Sequence, residues 1–309
     1  MYYFIVNGNS RSGRGKKIWQ KVETELKRQG IVYESYLTKA CGEARYFARE
    51  LSRRECHEEK ILVVLGGDGT MNEVLDGLQC EVKMTVGYIP AGSGNDLARS
   101  LGISKNPKRA LRHILLPKKS RMLDYGVVSY GSDEVAHRRF CVSSGIGFDA
   151  AVCHELLHAG VRKKLARVHM EKLAYVLVGI KQFVLAKPTR GYFLLDGIRR
   201  IDFQYLYFAS FHIHPFEGGG FRFAPKADCA DGMLEIAVCA GESKKKLIAA
   251  LVHAYLGNHR RGKQLKTFRC REVSVHTDRP LPVHVDGESC YSQTDLQICC
   301  IEKKIRMLV

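Results

Sequence analysis

The run Ile61-Leu62-Val63-Val64-Leu65 passes without a polar residue into Gly66-Gly67-Asp68-Gly69-Thr70, and that junction constrains the chain more than any other feature. Five consecutive apolar residues ending in a glycine turn need cover on both faces. That is the environment of a central parallel strand, which in turn requires crossover helices. The flanking sequence supplies them. Residues 2–6 are aromatic and β-branched, Lys16 to Arg28 reads as a helix closed by Gly30, and Ile31 to Leu37 as a second strand. Gly42 to Arg54 reads as a helix, Met71 to Leu78 as the helix after the central strand, Thr85 to Ile89 as a strand, and Asn95 to Leu101 as a short helix start. The pattern predicts a doubly wound α/β domain over residues 1–124.

After Asp124 the rhythm changes to strand-like runs at Tyr125–Tyr130, Arg139–Ser143, Tyr192–Leu195, Phe203–Phe211, Met233–Ala240, Glu272–Thr277, Pro282–Val285 and Leu296–Ile301. Helical insertions are expected near Ala150 to Leu185 and Lys244 to Leu256. The fold class is therefore α/β plus all-β, with a β-rich domain over 125–300 and a C-terminal segment, 301–309, free to pack back on the first domain. No Pro- or Ser-rich linker separates the halves, so an active-site cleft between them is expected.

Lys and Arg number 49 against 32 Asp and Glu, a formal charge of +17, which attracts polyanions without choosing among nucleotide, nucleic acid and an anionic lipid surface. Solubility alone is the plainer reading. The eleven cysteines are odd in number and form no C-x-x-C pair, and Cys141, Cys239 and Cys299 lie in apolar strand-like runs where a thiol packs as a small hydrophobe. No apolar run reaches the ~18 residues of a membrane span, and the opening Met1 to Asn7 is too short for a signal-peptide core. A cytoplasmic protein is expected.

Chemistry concentrates in three loops, each placed after a predicted strand. Gly66-Gly67-Asp68-Gly69-Thr70 leaves backbone N–H groups free to face an anion, its glycines let a phosphate approach the main chain, and Asp68 can hold Mg²⁺. Pro90-Ala91-Gly92-Ser93-Gly94-Asn95-Asp96 brings a second carboxylate, and Asn7 to Gly15 is glycine-rich and followed by Lys16 and Lys17. Each loop alone could be an ordinary tight turn. Three at strand C-terminal ends of one α/β domain lie where such sheets bind ligands. No G-x-x-x-x-G-K-S/T sequence is present, which excludes an ordinary P-loop.

These residues resemble the bacterial diacylglycerol kinase-like lipid kinases, relatives of the sphingosine and ceramide kinases. The resemblance runs almost end to end: Gly66 to Glu73, Pro90 to Ala98, Asp124, Gly145-Ile146-Gly147-Phe148-Asp149, Gly218-Gly219-Gly220 with Pro225-Lys226-Ala227, Asp231 to Glu235, and Val285-Asp286-Gly287-Glu288. It implies a nucleotide-binding α/β domain and a lipid-binding, β-sandwich-like domain. It also implies that Asn7, Ser12, Gly13, Thr38, Gly66, Gly67, Asp68, Gly69, Thr70, Met71, Asn72, Glu73 and Ser93 contact ATP, and that Asp68 and Asp96 organise a catalytic Mg²⁺. Asp231, with the carbonyls of Asp228 and Met233, would hold a second, structural Mg²⁺. Glu288 would be the general base toward the lipid hydroxyl; from Asp286-Gly287-Glu288 alone, a charged residue beside a turn is the simpler reading. The opening loop reads Asn7-Gly8 where the family has Asn-Pro, and Lys164 or Arg167 is a candidate phosphate contact.

Two other features compete. His154-Glu155-Leu156-Leu157-His158 satisfies the H-E-x-x-H pattern of zinc proteases, but Ala159-Gly160-Val161 follows it, and packing or surface histidines are the better reading. The apolar stretch Leu173 to Ala186 reads as a core helix, or as a greasy wall flanked by Arg162, Lys163, Lys164 and Lys187. The expected reaction is ATP-dependent phosphorylation of a lipid alcohol, diacylglycerol first, by an enzyme attached peripherally to anionic headgroups. A soluble-metabolite kinase of NAD kinase type and a non-catalytic lipid- or nucleotide-binding regulator are the alternatives. No nucleic-acid partner is expected, and a homodimer is left open.

Overall fold

The computed structural model describes residues 1–54, 59–79, 84–131, 134–158, 178–179, 181–242, 244, 248 and 265–309. The chain forms two compact units, Met1–Tyr125 with Glu302–Val309, and Gly126–Ile301.

In the first unit, β1 (Tyr2–Val6), β2 (Tyr33–Leu37), β3 (Lys60–Gly66) and β4 (Met84–Pro90) form a parallel sheet in the order β2-β1-β3-β4. The last residues of the chain extend it, Arg306 and Met307 pairing in parallel with Thr85 and Val86. Strand alternation splits the buried residues between two faces. Phe4, Val6, Val63 and Leu65 meet Trp19, Val22 and Leu26 of α1 (Ser10–Arg28) and Ala110, Leu111 and Ile114 of α5 (Pro107–Leu115). On α2 (Glu43–Arg53) and α3 (Asp68–Gly77), Ala44, Ala48, Leu51, Val74 and Leu75 are buried. The two helices pack on each other, α2 also against β1 and α3 against β3. β3 is buried because helices cover both its faces, as its uninterrupted apolar run requires.

The sequence reading had no helix at 107–115. Its signal was present: Asn106 is an N-cap whose side chain accepts from Lys108 N (3.0 Å) and Arg109 N (3.3 Å), with Pro107 at the first helical position.

The second unit is antiparallel. β9 (Arg199–His212) pairs with β10 (Leu234–Ala240), which pairs with β11 (Leu265–Cys270). On its other side β9 pairs with β8 (Thr189–Leu195) and then with β7 (Ser143–Gly147), and both also pair with β12 (Glu272–Val285). β7 and β8 thus lie end to end between two long strands. β5 (Ser120–Tyr130) pairs with β6 (Ala136–Phe140), and β12 turns into β13 (Glu288–Leu308). The expected strand Arg139–Ser143 is broken at Cys141–Val142, whose backbone N–H groups turn to a side chain described below. The runs Glu272–Thr277 and Pro282–Val285 are one strand whose register shifts between His276 and Leu281.

No disulfide joins the described cysteines, and Cys141 and Cys239 are buried. Among the described residues no helix is long and apolar enough to cross a membrane. Of the apolar stretch 173–186, Val178 is buried, Phe183 packs edge-on against Phe148 at 5.7 Å, and Val184 and Leu185 are exposed. Arg162, Lys163, Lys164, Arg167 and most of the expected helix at 244–256 lie outside the described residues.

Asn106→Ala is expected to lower the stability of the α/β unit in urea unfolding by about 1 kcal/mol, whereas Asn106→Ser keeps most of it.

Candidate active site

The order β2-β1-β3-β4 reverses direction between β1 and β3, which opens a crevice at the carboxyl ends of those strands. Asn7 follows β1 and Gly67 to Thr70 follow β3, so both lie at that crevice. Asn7 Nδ2 donates to Thr70 Oγ1 (2.9 Å), and Asn7 Oδ1 accepts from Asn9 N (3.1 Å). The loop after Asn9 turns through three consecutive left-handed residues, Arg11, Ser12 and Gly13 (φ 46°, 56° and 91°), before α1 becomes regular. Ser12 is exposed, as are Arg11, Arg14, Lys16 and Lys17, so the mouth of the opening loop is cationic.

The second and third strand ends meet through backbone. Ala91 N donates to Gly66 O (2.7 Å), and a Cβ on Gly92 would lie 2.5 Å from Gly67 Cα, so only glycine fits. Asn95, left-handed at φ 52°, closes the loop: its Oδ1 accepts from Gly92 N (2.9 Å) and its Nδ2 donates to Gly92 O (2.7 Å). Asp68 then spans the two loops. Its carboxylate accepts from Asp96 N (3.1 Å) and Leu97 N (3.3 Å), the first amides of the short helix α4 (Asp96–Ser100). The carboxylate of Asp96 is buried and paired with Arg99.

The structure therefore gathers Asn7, Gly66, Gly67, Asp68, Thr70 and Asp96 into one set of contacts, with Gly69 beside Asp68. Thr38 follows β2, where its N–H donates to Val6 O (2.9 Å), and Ser93 is exposed at the tip of its loop. Met71 and Asn72 are buried in the helix behind the loop. Glu73 faces α2 instead: it accepts from Ala44 N (3.2 Å) and Cys41 Sγ (3.3 Å), holding the start of that helix.

In the second unit, Asp286 and Gly287 form a two-residue hairpin turn with φ 47° and 86°, and Glu288 pairs with Val285 directly after it. Asp286 anchors the turn to the break between β6 and β7, its carboxylate accepting from Cys141 N (2.7 Å), Val142 N (2.9 Å) and Ser143 N (3.0 Å). Glu288 is half-buried.

Sequence reasoning missed the group behind that turn. Asp149 opens α6 (Phe148–His158), Glu217 precedes the three-glycine turn 218–220, and His284 precedes the Asp-Gly turn. His284 Nε2 lies 2.9 Å from Glu217 Oε1 and 3.3 Å from Asp149 Oδ2, and the ring is 1% exposed. Their ligand atoms lie within 4.8 Å of one another, a spacing a divalent ion could use. The other ring nitrogen argues against a metal. Nδ1 accepts from Gly287 N (3.2 Å), so the ring proton sits on Nε2, whereas a metal-bound histidine donates from its second nitrogen.

Burial works against charge on His284, but its hydrogen bonds to Asp149 and Glu217 outweigh it, and its pKa lies well above the ordinary histidine value. Burial, opposed by His284, pushes the neighbouring Cys153 thiol up to about 11, so it is uncharged at neutral pH and the two carboxylates draw the proton. With Nδ1 taken by Gly287 N–H, the ring's own proton lies on Nε2, facing the two carboxylates. His212, 3.4 Å from Glu217 through Nε2, is pushed down to about 3, chiefly by burial, and stays neutral.

At the third predicted place, Met233 N donates to Asp231 Oδ1 (3.0 Å) and Ala230 N to Asp228 Oδ1 (3.2 Å), a compact turn of oxygen donors. Arg269 already pairs with the other oxygen of Asp231. The H-E-x-x-H segment has protein partners: His154 Nε2 lies 2.8 Å from Val283 O, and Glu155 binds Lys181 (2.6 Å) and Gln182 (2.5 Å). The side chain of His158 lies outside the described residues.

If amide acceptance by Asp68 joins the loops, Asp68→Ala lowers the urea stability of the α/β unit by about 1 kcal/mol, and Asp68→Asn, which keeps one acceptor, by less. Equal losses would instead assign the effect to charge.

Comparison with known proteins bears on the family and the fold. Residues 1–128 match the diacylglycerol kinase catalytic domain, and residues 143–308 match the YegS C-terminal NAD kinase beta sandwich-like domain. The Bacillus subtilis protein YtlR, which carries a lipid-kinase name, is 28% identical over 93% of each chain. A diacylglycerol kinase of Mycobacterium tuberculosis is 27% identical over 92% of this chain and 87% of its own. A crystal structure of a diacylglycerol kinase from Bacillus anthracis shares the fold with TM-score 0.71 at 18% identity, covering 99% of this chain and 96% of that one. Yeast NADH kinase shares it more distantly, with TM-score 0.53 at 8% identity over 99% and 82%. With an α/β unit built around a glycine-rich loop and a β-sandwich unit that each match a family model, the chain belongs to the diacylglycerol kinase-like family of lipid kinases.

Proposed function

We propose that the chain transfers the γ-phosphoryl group of ATP to the hydroxyl of a membrane lipid, with diacylglycerol the acceptor and phosphatidic acid the product. The observation that carries this reading is the convergence of Asn7, Gly67, Asp68, Thr70 and Asp96 at the switch point, in a chain whose relatives include proteins named diacylglycerol kinase. The glycine loops cradle phosphate through backbone N–H groups, and the cations of the opening loop offset its charge. Asn7, Ser12, Gly13, Thr38, Gly66 to Thr70 and Ser93 are the proposed ATP contacts, whereas Met71 and Asn72 lie buried behind the loop and Glu73 faces α2.

Asp68 and Asp96 fit Mg²⁺ in donor type, because carboxylate oxygens are the hard ligands it takes. Bound there, the ion would neutralise charge on the phosphates. Asp231 and the carbonyls of Asp228 and Met233 are the proposed second Mg²⁺ site, where an ion would share the Asp231 carboxylate with Arg269.

Glu288 is the proposed base. As the lipid oxygen forms its bond to γ-phosphorus and the bond to the ADP oxygen breaks, the hydroxyl proton passes to Glu288. The net charge of +17 supports peripheral attachment to anionic headgroups on a cytoplasmic membrane face.

Purified protein with labelled ATP, Mg²⁺ and mixed micelles of several lipid alcohols is expected to label diacylglycerol, and Asp68→Asn is expected to lower turnover on the order of 10²-fold or more. Label entering NAD and no lipid would replace this reading with a soluble-metabolite kinase.

A further inference from the structure

Glu288 stands at the end of a turn that is held from two directions. From one, Asp286 accepts three consecutive backbone amides, Cys141 to Ser143. From the other, Gly287 N donates to His284 Nδ1. A type I′ Asp-Gly turn forms with neither. The bond to His284 needs a separate account, because it places a buried, polar ring under the residue next to Glu288.

That ring is itself held. With Nδ1 accepting, Nε2 carries the proton and points it at Glu217 and Asp149. Glu217 is fixed in turn by its backbone: Glu217 N donates to Phe221 O and Phe221 N to Glu217 O, both at 2.9 Å, across Gly218, Gly219 and Gly220, which all have positive φ. Asp149 is fixed by the start of α6, where its carboxylate accepts from Ala150 N (2.8 Å). Two carboxylates from separate segments thereby set the tilt of one imidazole, and the imidazole sets the amide of Gly287. Burying two acids and a histidine costs free energy that apolar residues of similar volume would not, so stability does not account for the group. Orientation does, since a ring gripped at both nitrogens has one allowed setting.

We infer that His284 is a positioning residue for Glu288, held by Asp149 and Glu217 on its Nε2 side and holding the Asp286-Gly287 turn through Nδ1. The inference rests on the reading of Glu288 as the base. It places no metal in the cluster and gives His284 no contact with substrate.

Two variants separate the nitrogens. Glutamine puts its amide near the Nε2 position, so His284→Gln keeps a donor for the carboxylates and removes the acceptor for Gly287. Asparagine puts its oxygen near Nδ1, so His284→Asn keeps the acceptor and loses the donor. In micelle assays with diacylglycerol and labelled ATP, His284→Gln is expected to lower kcat on the order of 10²-fold, with KM for ATP unchanged, as for a misplaced catalytic group. His284→Asn is expected to retain more of kcat while unfolding at a lower urea concentration. Backbone amide exchange at Gly287 should quicken in His284→Gln and not in His284→Asn.

The double variant His284→Gln/Glu288→Gln is expected to be no slower than Glu288→Gln alone, because a positioning residue has nothing left to position. Multiplying losses, or unchanged exchange at Gly287 in His284→Gln, would overturn the inference. Glu288→Gln with parental turnover would overturn the base reading instead, and Gly287 exchange would still judge the clamp. If neither His284 variant folds, Glu217→Gln enters the same cycle, with quickened Gly287 exchange expected and unchanged exchange overturning the proposal.

Discussion

The α/β unit depends on the approach of two backbones, Gly67 to Gly92. No side chain fits between them, and because they touch, the loops after β3 and β4 act as one surface. Asp68 can then reach across to the first amides of α4, and Asn95 can close its loop on Gly92. The parallel order β2-β1-β3-β4 brings the loop after β1 to the same place, where Asn7 meets Thr70. A single surface made of three strand-end loops follows from packing rather than from any one residue.

The β unit solves a different problem with the same means. Its carboxylates and histidines lie on hairpin turns and strand ends, which antiparallel pairing fixes in register. Asp286 replaces strand pairing at the break after β6, and His284 carries the order of the Gly287 turn inward to Asp149 and Glu217. Buried polar groups of this kind cost free energy unless each has its partner, and here both ring nitrogens of His284 and both carboxylate oxygens of Asp286 have one. The rigid setting places Glu288 on a strand end supported from behind rather than on a free loop.

Much of the first unit was legible because its signals are local. The apolar run of β3, the glycines after it and the Asp68 that opens α3 form one continuous segment, and period and turn chemistry suffice to read it. The same local rules would have found α5 from Asn106-Pro107. The strand break at Cys141–Val142 was not legible, because its cause is Asp286, far along the chain. Glu73 shows the opposite case. Its motif placed it with the nucleotide loop, while its helical position turned it toward Ala44 and the start of α2.

The sequence by itself determined the α/β and β-rich halves and the three loops at strand ends with the carboxylates Asp68 and Asp96, since periodicity, glycine placement and short motifs are properties of neighbouring residues; Glu288 entered only through the family resemblance. Only the tertiary structure decided that Asp68 joins two loops, that Asp231 faces Arg269, and that Asp149 and Glu217 converge on His284 behind the Gly287 turn. Those contacts join residues tens to more than a hundred positions apart. Hydrogen-bond direction is set by where folding carries each donor and acceptor, which no local pattern encodes.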